Sequence, residues 1–222
     1  MAEAPLPQRA AEVGAAYDEL ADSYADQIPG TGPEAAVDLT MIEHLVALLP
    51  ARPRVLDAGC GAGRMFPLLE GLGCRVTGID LSPGMVRRAA RDHPGVPVQV
   101  ASLQALPFAD ATVDGVLSWY STIHGDDTSL LAFLGEARRV LRPDGLLLLA
   151  FQSGTGVRDV GPAYHPFGHD VRLLRHDRTV DDMRPLLARC GFAVVSQLER
   201  APVGSERGPQ AVVVVGNPRR AA

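Results

Sequence analysis

The chain has 222 residues, of which 46% are hydrophobic and 21% charged, with a formal net charge of -5. That length can bury one well-formed core, and the acidic balance weighs against a nucleic-acid partner, whose phosphates demand clustered cations. All 21 basic residues are arginine, which excludes a lysine-bearing phosphate loop and Schiff-base chemistry.

No apolar run approaches 18 residues, and the opening MAEAPLPQRA lacks the basic-then-apolar order of a secretion signal, so a cytoplasmic protein with no membrane segment is expected. Cys60, Cys74 and Cys190 match neither a zinc spacing nor a disulfide framework. They read as buried thiols, and no metal site is expected.

In chain order, small and apolar residues recur at helical spacing from Ala10 to Gln27. A second helix is expected from Pro33 to Leu49, before Pro50. Strand Arg54 to Ala58, helix Gly63 to Leu72 and strand Arg75 to Asp80 then make a βαβ unit. Ser82 and Pro83 open a helix to about Arg91, followed by strands Val96 to Ala101 and Val113 to Ser118, helix Ser129 to Leu141 and strand Leu146 to Phe151. Residues 152–177, with Gly, Pro, His165, His169 and His176 and little periodicity, read as an insertion. Thr179 caps a last helix ended by Gly191, and Phe192 to Leu198 and Gln210 to Val215 read as final strands. This alternation implies a mostly parallel sheet covered on both faces.

The chemistry gathers at Val55-Leu-Asp-Ala-Gly-Cys-Gly-Ala-Gly-Arg64, an apolar strand running through a glycine turn into a helix. Glycines there let the backbone turn tightly and approach a ligand. The spacing Gly59, Gly61, Gly63 is one residue tighter than the dinucleotide fingerprint, and Asp57 at the strand end suits a cationic amino group. Seventeen residues after Gly63, Asp80 ends the second strand, where a carboxylate can accept both hydroxyls of a ribose.

VLDAGCGAGR, GIDLSPGMV, the LPF within residues 101–110 and RRVLRPDG together resemble the successive motifs of class I S-adenosylmethionine-dependent methyltransferases, over about Tyr17 to Val215. The resemblance is strongest to the small-molecule group that includes the ubiquinone and menaquinone methylases. It implies an α/β fold, a Rossmann-like three-layer sandwich with a seven-stranded, mostly parallel sheet, an antiparallel last strand and N-terminal helices. It also implies S-adenosyl-L-methionine as cofactor and transfer of its methyl group to an O, N or C atom of a small molecule by in-line displacement. The cofactor would meet Asp57, Gly59, Cys60, Gly61 and Arg64 at its methionine end, Asp80 at the ribose, Leu81 and Met85 on one adenine wall, and Ser102 and Leu103 at the adenine edge. The family commonly has an acid where Ser102 stands.

Tyr17-Asp-Glu-Leu-Ala-Asp-Ser-Tyr24 resembles a family segment that folds over the cofactor, which places Tyr24 near the methionine end and Tyr17 near the acceptor. Ser118-Trp-Tyr-Ser-Thr-Ile-His124 resembles the segment lining the methyl donor and acceptor. Ser118 is expected at the cofactor, Trp119, Tyr120 and His165 at the acceptor, and His124 as the base. The whole reads as one methyltransferase domain: residues 1–50 a helical lid, 51–151 the cofactor-binding core, 152–178 an insertion near the acceptor site and 179–216 a C-terminal helix and strands. A monomer or homodimer acting on a small molecule is expected, with the lid and insertion loosely held until ligands close the pocket. The rivals are an NAD-dependent oxidoreductase, disfavoured by the glycine spacing and the missing lysine, and a non-catalytic cofactor-binding protein.

Overall fold

A computed structural model describes residues 10–218; the reading of residues 1–9 as no secretion signal lies outside it. Helices α1 (Ala10–Gln27) and α2 (Ala36–Ala47) precede β1 (Arg54–Ala58), α3 (Phe66–Gly71), β2 (Arg75–Asp80), α4 (Pro83–Asp92), β3 (Val98–Val100), β4 (Val113–Trp119), α5 (Asp127–Val140) and β5 (Leu141–Gln152). Then come β6 (Gly156–Asp159), β7 (Leu174–Asp177), α6 (Val180–Arg189), β8 (Ala193–Arg200) and β9 (Gln210–Gly216). Seven strands form one sheet in the order β3-β2-β1-β4-β5-β9-β8. Strand β9 runs against the other six strands, so the expected α/β architecture with an antiparallel last strand holds.

The sheet is central because its middle strands have no polar face: β4 is buried at every position and β9 at all but Gly216. Alternate residues then serve two cores. Leu117, Leu148 and Val214 pack against Ile42 and Leu45 of α2 and Phe66 and Leu69 of α3. Val116, Leu147 and Val213 pack against Phe133 and Leu134 of α5 and Met183 and Leu187 of α6. The chain winds outward from β1 to β3 in one direction and from β4 in the other, so the crevice of the doubly wound sheet opens over the carboxyl ends of β1 and β4.

Several boundaries differ from the sequence reading. Helix α3 begins at Phe66 because Gly63, at φ +84°, keeps the preceding turn out of the helix. Helix α2 starts at Ala36. Strand β5 begins five residues early, since Leu141 already pairs with Val113 before a register shift. The insertion is also more ordered than expected: β6 and β7 form an antiparallel pair from Gly156 opposite Asp177 to Asp159 opposite Leu174. Every residue of β6 is exposed, so no alternation marked it. A 3-10 helix, Gly161–Phe167, follows.

Helix α1 and the insertion each lack the apolar area to bury themselves, and they bury each other. Ala16 and Leu20 pack on Val171 and Leu173, flanked by Tyr17, Tyr24, Val160 and Tyr164. His169 fastens this arrangement, 2.8 Å from the Ser23 hydroxyl and 3.2 Å from Glu19. On its other side α1 meets α4, where Arg88 donates to Asp26 at 2.6 Å and Asp22 at 3.3 Å, and Asp18 accepts the Gly84 N–H. Among the described residues no helix is long and apolar enough to cross a membrane.

One ion cluster joins three segments at the rim of the crevice. Arg200, ending β8, donates through Nε to Asp38 of α2 at 2.8 Å and through Nη1 to Glu206 at 2.6 Å. Asp38 is 1% exposed, so removal of its cation strands a buried carboxylate. Arg200→Met is expected to lower stability by about 3–5 kcal/mol in urea unfolding, the range for breaking one side of a buried pair. An unchanged midpoint would show that the cluster does not hold these segments.

Candidate active site

A cavity of about 510 Å³ occupies the crevice, roofed by α1 and the 3-10 helix of the insertion. Its floor is the turn after β1. Gly59 and Cys60 both donate N–H to the Ile79 carbonyl at 2.8 Å, which folds the turn over the end of β2. Gly59 has φ +81°, and a Cβ on it would stand 2.2 Å from the Ser121 Cβ, so nothing larger fits under the β4 end. Gly61 has φ +54°, yet the nearest atom to its missing Cβ is Met85 Sδ at 3.9 Å. The two glycines therefore do different work: Gly59 lets two loops touch, and Gly61 keeps backbone bare where it faces the cavity.

Asp80 ties this floor together. Its Oδ2 accepts the Gly61 N–H at 2.8 Å and its Oδ1 the Ser82 N–H at 2.9 Å. Burial raises its pKa, with those backbone donors opposing the rise. A carboxylate has about four lone-pair sites, so both oxygens keep capacity for ligand hydroxyls. Asp57, 1% exposed at the end of β1, is different: its Oδ2 is buried with no hydrogen-bond partner among the described residues. Burial, helped by the neighbouring Asp80 charge and opposed by Arg64, pushes its pKa up to about 7. An orphaned buried carboxylate is costly unless a cation or donor is brought to it.

Arg64 is nearly buried, bonded to Glu34 and facing Tyr24 and Asp57, so one guanidinium is shared by the turn and the α1–α2 linker. Cys60 donates its thiol to the Gly61 carbonyl at 3.5 Å, and burial raises its pKa, which leaves a neutral wall atom. Leu81, Met85, Ser102 and Leu103 line the side under α1. Helix α1 comes close here because Gly14 sits over Leu81, where a Cβ would meet Leu81 Cγ at 3.0 Å. The Ser102 oxygen accepts the Gln104 N–H at 3.1 Å, leaving its O–H to donate.

Tyr24, Trp119 and Tyr120 also line the cavity, as do Tyr17 and His124. The His124 Nδ1 lies 2.6 Å from the Leu174 carbonyl of β7, which can only accept, so Nδ1 carries the proton. Nε2 is then an acceptor, and the Tyr17 hydroxyl donates to it at 2.8 Å. Burial, reinforced by Arg175 and His176, pushes the His124 pKa down to about 4. Burial and neighbouring phenols raise that of Tyr17. At neutral pH this wall is an uncharged tyrosine–histidine pair.

Two of the expected site residues lie elsewhere. Ser118 does not line the cavity; it is fully buried, its hydroxyl 2.8 Å from that of Ser121, which donates to the Ala58 carbonyl and supports Gly59. His165 is also outside the lining, half exposed and 3.3 Å from Asp170. The turn of the 3-10 helix presents Tyr164 inward instead. Sequence reasoning missed Tyr164, Ser121, Glu34, Gln152, Glu206, Arg207 and Gln210, all of which line the cavity. Only Ser121, inside a segment already singled out, carried a signal. Of the insertion's imidazoles, that of His169 bonds Ser23 and Glu19 of α1, and that of His165 lies beside Asp170.

The fold, a glycine turn, an acid at the end of β2 and an acid with an unpartnered oxygen at the end of β1 define a doubly wound protein with a ligand crevice at its switch point. Comparison with known proteins sharpens this. The family described as a methyltransferase domain matches residues 56–149. A malonyl-[acyl-carrier protein] O-methyltransferase of Geobacter sulfurreducens is 34% identical over 184 residues, covering 76% of this chain and 68% of that protein. O-methyltransferase cnsE of Penicillium expansum is 31% identical over 212 residues, 83% of this chain and 73% of its own. A solved S-adenosylmethionine-dependent methyltransferase of Methanosarcina mazei has a TM-score of 0.67 at 19% identity, covering 81% of this chain and 98% of that one.

The chain belongs to the class I S-adenosylmethionine-dependent methyltransferases, and S-adenosylmethionine is its cofactor. The residues present fit that group: the Asp57 carboxylate, with Oδ2 unpartnered among the described residues, would answer its ammonium, and the bare backbone at Gly61 would leave room for its methionine chain.

An ammonium held at Asp57 would need that carboxylate ionised. Its free-state pKa is raised to about 7 and falls when a cation arrives, so affinity is full above pH 7 and lost as pH falls through it. Calorimetry with S-adenosylhomocysteine, which carries the same ammonium, is expected to give about tenfold weaker binding at about pH 6 than at about pH 8. Asp57→Asn should bind weakly at both. Equal affinities for the unaltered protein at the two pH values would remove Asp57 from the ammonium site.

Proposed function

We propose that the protein methylates an oxygen atom of a small-molecule acceptor. The observation carrying this reading is the orphaned Asp57 carboxylate in the same cavity as the half-committed Asp80 carboxylate, at the switch point of the sheet. The choice of oxygen rests on the two O-methyltransferase relatives. When bound, S-adenosylmethionine supplies a methyl group already activated on a sulfonium. The chain's own residues must place the acceptor in line with that carbon and exclude water, work that positioning can lower by roughly 7–11 kcal/mol.

In this reading Asp57 and Arg64 hold the two charges of the methionine end, with Gly59, Cys60, Gly61 and Tyr24 around it. Asp80 takes the ribose hydroxyls, Leu81 and Met85 one adenine wall, and Ser102 and Leu103 its edge. Ser118 acts through Ser121 rather than by contact. Trp119, Tyr120 and Tyr17 face the acceptor. The Tyr17–His124 pair is a neutral, preformed wall, and a proton taken up by His124 Nε2 would have to displace the bond from the Tyr17 hydroxyl. Helix α1 and residues 152–178 act as one lid over a single-domain core. Action on a small molecule in the cytoplasm, as a monomer or homodimer and without nucleic acid, completes the proposal.

Asp80→Ala is expected to weaken S-adenosylhomocysteine binding ten- to a hundred-fold, the equivalent of one or two charge-assisted bonds. Labelled-methyl transfer to acceptor should fall with it. Full affinity in the variant, or no transfer by the unaltered protein to any hydroxylated compound, would sink the assignment. Amide exchange in α1 and residues 152–178 should slow on S-adenosylhomocysteine binding, while β1 and β4 stay protected throughout. Equal protection of lid and sheet before binding would leave the lid proposal without support.

A further inference from the structure

The cavity has two unlike walls. On the α1 side the polar groups answer one another: Tyr17 donates to His124, and His124 to the Leu174 carbonyl. On the α2 side they do not. Trp119 Nε1 and Gln152 Oε1 are both buried, both in residues lining the cavity, and neither has a hydrogen-bond partner among the described residues.

Sheet register places these two orphans together. Trp119 pairs with Ala150 across β4 and β5, and Gln152 follows two residues later on the same face, opposite Gln210 of β9. Trp119, Ala150 and Val212 belong to the apolar core under α2, and Gln152 and Gln210 extend that face past its carboxyl edge. Gln210 is committed: its Oε1 accepts the Tyr120 hydroxyl at 2.9 Å and its Nε2 donates to the Gly208 carbonyl at 2.8 Å. Tyr120 keeps that bond from a left-handed conformation, φ +57°, which a bulky side chain adopts only where the surroundings impose it. The acids on this side are committed too, Glu34 to Arg64 and Glu206 to Arg200.

We infer that Trp119 and Gln152 form the acceptor-recognition subsite, and that it selects a neutral hydroxyl. The inference rests on the methyltransferase reading for its function. An indole N–H only donates and an amide oxygen only accepts. A hydroxyl satisfies both, accepting from Trp119 and donating to Gln152. With the Gln152 amide oriented as it stands, a carboxylate leaves its Oε1 facing a second acceptor, and an ammonium leaves Trp119 without one. Each mismatch keeps one buried polar group unpaired. Gln152 is thereby a specificity-determining residue outside the family motifs.

Trp119 is the only tryptophan of the chain, so its indole N–H gives one resolved amide-type signal in a nitrogen-15 correlation spectrum. With the protein saturated in S-adenosylhomocysteine, phenol, benzoate and benzylamine are titrated separately at millimolar concentrations. Phenol is expected to move the indole signal downfield and saturate, with the other two binding roughly tenfold more weakly, the cost of one unpaired buried group. Gln152→Leu should lose roughly tenfold for phenol and nothing for S-adenosylhomocysteine, with unchanged thermal unfolding. The proposal fails if S-adenosylhomocysteine alone brings the indole signal to its hydrogen-bonded position, if benzoate or benzylamine binds as tightly as phenol, if phenol leaves the signal in place, or if Gln152→Leu binds phenol normally. Should calorimetry detect no S-adenosylhomocysteine binding, the cofactor reading falls instead, and the same phenol titration of the free protein still decides the subsite.

Discussion

The Asp80 carboxylate organises this site. One oxygen holds the Gly61 N–H of the turn after β1, and the other holds the Ser82 N–H where α4 begins. Two backbone segments that meet only at the sheet's carboxyl edge are thereby locked in place before any ligand arrives. The consequence appears at Asp57. With the turn held by Asp80 and by the Ile79 carbonyl, no hydrogen-bond donor among the described residues reaches Asp57 Oδ2, and only the charge of Arg64 offsets its burial. In the proposed reading the cationic amino group of a zwitterionic methionine end would relieve the penalty that the free protein carries there.

Legibility followed burial. Strands β1 and β2 end where their sequences said, because both are short apolar runs bounded by residues with a strong local reason to stop, Gly59 at φ +81° and the capping Ser82. Helix α6 was equally plain, since Thr179 and Asp182 form a reciprocal cap. The insertion was opaque because β6 has no buried residue and so no alternating pattern, and its order comes from Asp177, buried between Arg158 and Arg175. Tertiary pairing of that kind leaves no local trace.

The site divides along the same line. Residues inside the glycine turn and at the ends of β2 and β4 were readable because fold and chemistry coincide there. Gln152 and Gln210 were not, because a polar residue at the end of an apolar strand looks like any strand terminus until register shows that both face one cavity. His165 and Tyr164 mark the opposite failure. The histidine drew attention for its chemistry, but the 3-10 helix turns its neighbour inward.

The absence of lysine bears on catalysis as well as on composition. Arginine stays charged at any working pH, so it can pair, as Arg64 and Arg200 do, but cannot serve as a base. The histidine in the cavity wall is a weak base, since burial has pushed the His124 pKa to about 4. A group that weakly basic deprotonates an acceptor slowly on its own. The walls of this cavity are accordingly better suited to placing an acceptor than to ionising it: one side is a closed chain of bonds through Tyr17, His124 and Leu174, and the other offers a donor and an acceptor. Because the methyl group of the cofactor is already electrophilic, positioning of the acceptor is the larger share of what such an active site has to supply.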